Sequence, residues 1–244
     1  MKTIFTIKDN REAARLTWRM ELSCGFRPEM RAGQFVDLAL DGFFLRRPIS
    51  VCDLSDDGIV LYYKTVGAGT EAMTGLKPGT GLELMTGLGN HFDVESCGGP
   101  ALLIGGGIGA APIHLLCREL LAAGRKVSVV LGFNTAEEIV LRESFEAMGV
   151  EPAIATLDGS CGTRGFVTDA IRELSPDFER FYCCGPLPMM KAVCEQLPGP
   201  GQASLEERMG CGMGFCYGCS RLMKDGARRI CKDGPVFDKE DILW

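Results

Sequence analysis

Between residues 3 and 85 apolar and polar positions alternate in short runs, which predicts strands over residues 3–7, 15–22, 34–40, 49–54, 59–64 and 82–85. The runs are cut by Arg27-Pro28, Ala32-Gly33, Asp41-Gly42, Asp56-Asp57-Gly58 and Lys77-Pro78-Gly79, residue types that close tight turns. The one helix expected here lies between Thr70 and Leu76, so the segment reads as a small antiparallel β-barrel. After Cys97-Gly98-Gly99-Pro100 the pattern changes. Residues 101–104 are apolar throughout, as a buried parallel strand is, and Gly105-Gly106-Gly107-Ile108-Gly109 follows directly. Ile113, Leu116, Cys117, Leu120 and Leu121 then repeat at helical spacing. Strands over 127–133, 152–157 and 181–184 and helices over 167–174 and 187–196 extend this into a doubly wound α/β parallel sheet. Pro198-Gly199-Pro200-Gly201-Gln202 reads as a linker by composition. Three domains are expected: 1–96, 97–200 and a small C-terminal one, 201–244.

Length and composition agree with that division. The 244 residues are 46% hydrophobic and 24% charged, which is globular composition with room for two ordinary domains and an appendage. A net charge of −6 with scattered Lys and Arg argues against nucleic acid or an anionic membrane as the main partner. The N-terminus has no apolar signal core, and no run of about eighteen apolar residues occurs, so a cytoplasmic protein is expected. In that compartment Cys24, Cys52, Cys97, Cys117, Cys161, Cys183 and Cys194 read as small reduced hydrophobes.

The remaining cysteines carry the strongest chemical pattern. Cys211, Cys216 and Cys219 follow a C-x4-C-x2-C spacing with Cys231 further on, which is the plant-type arrangement for a 2Fe-2S cluster. Glycines at 212, 214 and 218 let main-chain N–H groups approach the sulfurs. A zinc site or buried structural cysteines are the alternatives. In the barrel, Arg47-Pro48-Ile49-Ser50 places a cation and a hydroxyl in an otherwise apolar strand, where they can hold a diphosphate or a flavin edge. Tyr62-Tyr63-Lys64 leads through Gly67-Ala68-Gly69-Thr70 into a helix N-terminus, an arrangement that binds anions. The plainer readings are an edge-strand salt bridge and a tight turn with Thr70 as N-cap. In the sheet, the loops at 105–110, 132–134, 158–160 and 184–186 fall at the carboxyl ends of strands and should form one crevice. Glu137 and Glu138 stand where a 2′-phosphate would need cations, which favours NADH over NADPH. His114 reads as helix packing, and no acid–base residue is singled out.

The barrel motifs resemble those of the ferredoxin reductase family, and that resemblance implies an FAD site made by Arg47, Pro48, Ile49, Ser50, Tyr62, Tyr63, Lys64, Gly69 and Thr70. Ile49 replaces the family's usual aromatic, leaving Tyr62 or Tyr63 to cover the flavin. The same resemblance implies that Gly105, Gly106, Gly107, Gly109, Asn134, Asp158, Cys184, Gly185 and Pro186 receive NAD, with the Cys-Gly-Pro stretch beside the nicotinamide. Four further stretches extend the likeness over essentially the whole chain: Asp158-Gly159-Ser160-Cys161-Gly162, Cys184-Gly185-Pro186-Leu187-Pro188-Met189-Met190, Glu207-Arg208-Met209 before Cys211-Gly212, and Cys231-Lys232-Asp233-Gly234-Pro235-Val236-Phe237. With Arg46-Arg47-Pro48-Ile49-Ser50 they resemble the electron-transfer subunits of B-type dihydroorotate dehydrogenases. The resemblance implies an FMN-bearing partner that oxidises dihydroorotate in pyrimidine biosynthesis, a heterotetramer, and electrons passing through the 2Fe-2S cluster and FAD to NAD. Tyr217, the cysteine loop and Val236-Phe237 are the expected docking surface. Two alternatives remain at this point: the FAD and 2Fe-2S subunit of an NADH-dependent ferredoxin:NADP oxidoreductase or sulfide dehydrogenase, and a non-enzymatic redox sensor.

Overall fold

A computed structural model describes residues 2–244. Six strands close an antiparallel barrel in the order β1-β2-β5-β4-β3-β6, namely β1 (Lys2–Ala14), β2 (Thr17–Ser23), β3 (Phe35–Leu38), β4 (Arg47–Leu54), β5 (Gly58–Lys64) and β6 (Gly81–Leu88). The short helix α1 (Ala68–Thr74) leaves the barrel after β5. Alternation sets the register: in β5, Ile59, Leu61 and Tyr63 are buried inside while Val60, Tyr62 and Lys64 lie on the outer face. The largest departure from the sequence pattern is β1, which runs seven residues past the expected end. Residues 8–14 carry no buried position, so periodicity cannot mark them as strand. Cross-strand pairing with β2 holds them instead, with Arg19 reaching Asp9 at 3.2 Å and Glu21 at 2.7 Å.

The second region is a seven-stranded sheet in the order β10-β9-β8-β7-β11-β12-β15. Its parallel strands are β7 (Ala101–Gly106), β8 (Val127–Phe133), β9 (Ala153–Thr156), β10 (Thr163–Arg164), β11 (Arg180–Cys184) and β12 (Gly201–Ser204). The connecting helices are α2 (Ala110–Ala122), α3 (Arg142–Ala147), α4 (Val167–Leu174) and α5 (Leu187–Gln196). The expected linker at 198–202 differs from the structure, because Gly201 and Gln202 open β12 and are buried in the sheet. A Cβ on Gly201 would fall 2.2 Å from the Phe181 ring, so glycine here marks close packing rather than flexibility.

The C-terminal segment folds back on both regions. β13 (Ser220–Met223) and β14 (Gly226–Arg229) form a hairpin, and β15 (Val236–Asp238) adds antiparallel to β12. Asn90 ties this return to the barrel, donating to the Val236 carbonyl at 2.7 Å and accepting its N–H at 2.9 Å. Helix α2 joins barrel to sheet: Arg118 donates to the Leu54 carbonyl at 3.1 Å, and Glu119 accepts the Ala32 N–H at 2.9 Å. His114 belongs to this contact, as expected, with Nδ1 3.3 Å from the Cys52 carbonyl and its ring edge-on to Phe145. Burial lowers its pKa, so it packs as a neutral ring.

Candidate functional site

The hairpin between Cys219 and Cys231 explains their separation. Ser220 pairs with Arg229 across it, the turn is Lys224-Asp225, and the two strands return Cys231 beside Cys219. The Cys231 N–H points at the Cys219 sulfur at 3.4 Å. On the other side of the site, the Cys211 sulfur accepts N–H groups from Met213, Phe215 and Cys216 at 3.4, 3.2 and 3.4 Å. Burial pushes the Cys211 thiol up, but those N–H groups and the facing Cys216 thiol outweigh it and bring the pKa to about 6. Cys231 is pushed up to about 12 by burial and by the Cys219 thiol beside it. Thus Cys216 is the thiol partner of Cys211 and Cys219 that of Cys231, and Cys211 also acts on Cys231 at longer range. No set of three or more metal-ligating side chains gathers around one point among the described residues. The C-x4-C-x2-C spacing with a later Cys231 is the pattern of a 2Fe-2S cluster rather than of a structural zinc site.

Arg229, which the sequence did not single out, braces this loop. It pairs with Asp233 at 3.0 Å, donates to the Gly214 carbonyl at 2.9 Å and lies 5.0 Å from the Tyr217 ring centre. The Asp225-Gly226 turn signal could have revealed the hairpin, but the clamp could not be read from spacing. Met213, Phe215 and Tyr217 are exposed around the thiols, at 43, 78 and 65%. By contrast Val236 and Phe237 are buried in β15, so that part of the expected docking surface is core instead.

The barrel residues divide by strand face. Arg47 opens β4, and its guanidinium contacts the Leu45 carbonyl and stacks over Phe43 at 4.7 Å. It also folds against Gly69, where a Cβ would fall 1.9 Å from Nε, so the two predicted stretches meet. Pro48 and Ser50 are half-buried next along β4, and Ile49 packs on the barrel core. Tyr62 and Lys64 share the outer face of β5, but Tyr63 does not: it is 1% exposed inside the barrel and donates to Asn10 Oδ1 at 2.9 Å. Strand alternation therefore turns the Tyr63 side chain into the barrel and leaves that of Tyr62 on the outer face. Thr70 is not the N-cap of α1. Gly67 is, and the Thr70 hydroxyl takes the Val66 and Gly67 N–H groups at 2.9 and 3.2 Å.

At the sheet's carboxyl edge the glycine loop and the Cys184-Gly185-Pro186 turn are in contact. A Cβ on Gly109 would lie 2.3 Å from the Cys184 carbonyl, and one on Gly106 would lie 2.4 Å from Met189 Sδ. Gly105 packs on Ala110 and Leu131, while Gly107 has φ +54 and faces open space. Burial pushes the Cys184 thiol up to about 12, so it is neutral. Asn134 and Asp158 are exposed at the ends of the next two strands, and Asp158 accepts from the Ser160 N–H at 2.9 Å. The acidic pair behaves differently from expectation. Glu137 faces Arg15 at 3.4 Å, and Glu138 faces Lys64 at 3.0 Å and accepts from Asn134. Both carboxylates point to barrel cations, so they supply no argument for NADH over NADPH.

Residues 206–243 match the iron-sulfur cluster binding domain of dihydroorotate dehydrogenase B, and residues 103–195 match an oxidoreductase NAD-binding domain. The dihydroorotate dehydrogenase B (NAD(+)) electron transfer subunit of Fusobacterium nucleatum subsp. nucleatum is 39% identical over 251 residues, covering 97% of this chain and 96% of that one. The chain belongs to this family of electron transfer subunits. The family protein from Lysinibacillus sphaericus is 41% identical over 227 residues, 88% of each chain. Among solved structures, that of an NADH-dependent reduced ferredoxin-NADP oxidoreductase superposes with TM-score 0.90 at 28% identity, over 98% of this electron transfer subunit and 90% of that chain. Phthalate dioxygenase reductase, at TM-score 0.71 and 19% identity over 91% of this chain and 87% of that one, shares the fold. No helix among the described residues is long and apolar enough to cross a membrane.

Proposed function

We propose that this chain carries electrons between an FMN-containing subunit, which oxidises dihydroorotate to orotate, and NAD, in a cytoplasmic heterotetramer. The supporting observation is the convergence of four thiols, Cys216 exposed, Cys211 half-buried and Cys219 and Cys231 buried, in a chain 39% identical to a named electron transfer subunit over nearly its full length. Cys211 and Cys216 hold one iron of a 2Fe-2S cluster, and Cys219 and Cys231 hold the other. Arg47 takes the FAD diphosphate, with Gly69 giving it room and Ser50, Tyr62 and Lys64 lining the flavin from the outer faces of β4 and β5. When bound, the flavin exchanges a hydride with NAD and single electrons with the cluster, linking a two-electron carrier to a one-electron carrier. The chain's own residues bind and orient. The glycine loop with Cys184, Gly185 and Pro186 forms the nicotinamide side of the crevice, and the neutral Cys184 thiol adds no charge there. Met213, Phe215 and Tyr217 make the apolar rim on which the partner docks.

The test is anaerobic purification followed by cofactor analysis. Two irons per chain, extracted FAD and a reduced-state EPR signal lost in Cys231→Ser are expected. In Arg47→Ala, FAD retention should weaken by roughly tenfold or more, since a charge-assisted contact contributes about 1.5–3 kcal/mol. Zinc in place of iron, or FMN in place of FAD, would overturn the assignment. The close fold of the ferredoxin-NADP oxidoreductase gives the rival reading, which predicts a complex that reduces ferredoxin and ignores dihydroorotate.

A further inference from the structure

Asp37 is an expensive residue to place where it is. It lies in the middle of β3, across from Pro48 of β4, and is 2% exposed. Aspartate disfavours strands, and a buried carboxylate oxygen without a donor costs folding energy. Asp37 Oδ1 has no hydrogen-bond partner. Its other oxygen, Oδ2, faces the cysteine loop: a Cβ on Gly212 would fall 2.7 Å from it, and Gly212 itself has φ +65 and is buried. Phe35, on the same face of β3 two residues earlier, packs in one core with Cys219, Ile230 and Cys231. This strand face is therefore the floor of the cysteine segment, and the strand beside it carries Arg47, Pro48 and Ser50.

The charges around Asp37 do not neutralise it by direct pairing. From β4, Arg46 and Arg47 act on it at longer range. Arg46 uses its guanidinium on the Asp37 and Glu83 carbonyls and on the Glu83 carboxylate. Burial raises the Asp37 carboxyl to about 6 while the two arginines pull it down, so at pH 8 it is ionised. A negative charge in a partly desolvated position acts strongly on any charge that arrives nearby.

We propose that Asp37 sets the reduction potential of the cluster, by holding an unpaired carboxylate between the flavin-binding strand and the cysteine loop. Resting on the functional reading above, this makes Asp37 a tuning residue that touches neither reacting atom. Its charge disfavours an added electron on the cluster and so favours passing that electron on.

The experiment is an EPR-monitored redox titration at pH 8 of the anaerobic, cofactor-loaded protein and its Asp37→Asn variant. Removing the charge should make the cluster easier to reduce by about tenfold in equilibrium constant, which is about 59 mV for a one-electron couple. A purely structural role would alter thermal unfolding and leave the potential unmoved. Asp37→Glu, which keeps the charge, should titrate like the parent. Asp37→Ser is a second neutral variant if Asp37→Asn loses its cluster, and it should shift the same way. An unmoved potential in a folded, iron-loaded neutral variant overturns the inference, as does an equal shift in Asp37→Glu. A parent protein without an iron-sulfur signal would remove the functional reading and this inference together, whereas an intact signal with an unmoved potential removes this inference alone.

Discussion

The glycine loop after β7 and the cysteine loop after β12 both act through what the main chain presents, yet they are held differently. The first is ordered by close approach. Gly105, Gly106 and Gly109 leave gaps into which Ala110, Met189 and the Cys184 carbonyl fit, with no room for another carbon. The second adds attraction to close approach: Gly212 fits against Asp37 and Gly214 against Lys232, and N–H groups on Cys211 and the Arg229 contacts to Asp233, Gly214 and Tyr217 hold the loop besides. The nucleotide loop should therefore fail when an atom is added, whereas the cysteine loop should fail also when a polar contact or a thiol is removed.

The sharpest break is expected at a ligand. Cys219→Ser should abolish electron passage to the partner while NADH still reduces artificial dyes, because the glycine loop and the barrel are untouched; parallel assays of the two activities check this. Gly109→Val comes next. Overpacking against the Cys184 backbone should lower stability by about 1–3 kcal/mol and slow reduction by NADH, while the iron content stays at the parent value. Thermal unfolding with stopped-flow flavin absorbance separates the two effects. Arg229→Met should lower stability only slightly, since the Asp233 pair is only partly buried, and iron should be lost faster to a chelator. The smallest effect is at Glu137. Its carboxylate is 73% exposed and faces Arg15, so Glu137→Gln should leave the ratio of NADH to NADPH rates unchanged; a shift toward NADPH would return Glu137 to the ribose.

The sequence revealed these two loops unequally because their signals differ in kind. Alternation and turn residues marked the six barrel strands, since each strand buries one face, and the glycine loop followed an all-apolar strand that only a buried sheet requires. Where burial does not drive the structure, the pattern was silent. Residues 8–14 of β1 bury neither face, and Gly201 looked like linker because small residues serve both flexible chain and tight packing. Cysteine spacing gave the four thiols but not the hairpin that returns Cys231, although Asp225-Gly226 was a turn signal. Tyr62 and Tyr63 could not be separated until the register showed which faced inward. Arg229 with Gly214, Asp37 with Gly212 and the Glu138–Lys64 pair bring together residues far apart in the chain, and no local pattern encodes such contacts.

The central claim, that this chain is the route between dihydroorotate and NAD, is tested most directly by co-expressing it with the FMN-binding subunit and following NADH formation from dihydroorotate under anaerobic conditions. The account predicts a stable complex that forms NADH at a rate dependent on this chain. In that complex Cys219→Ser stops NADH formation and leaves dihydroorotate-driven dye reduction intact. NADH formation at the full rate without this chain, or no complex between the two subunits, would contradict it.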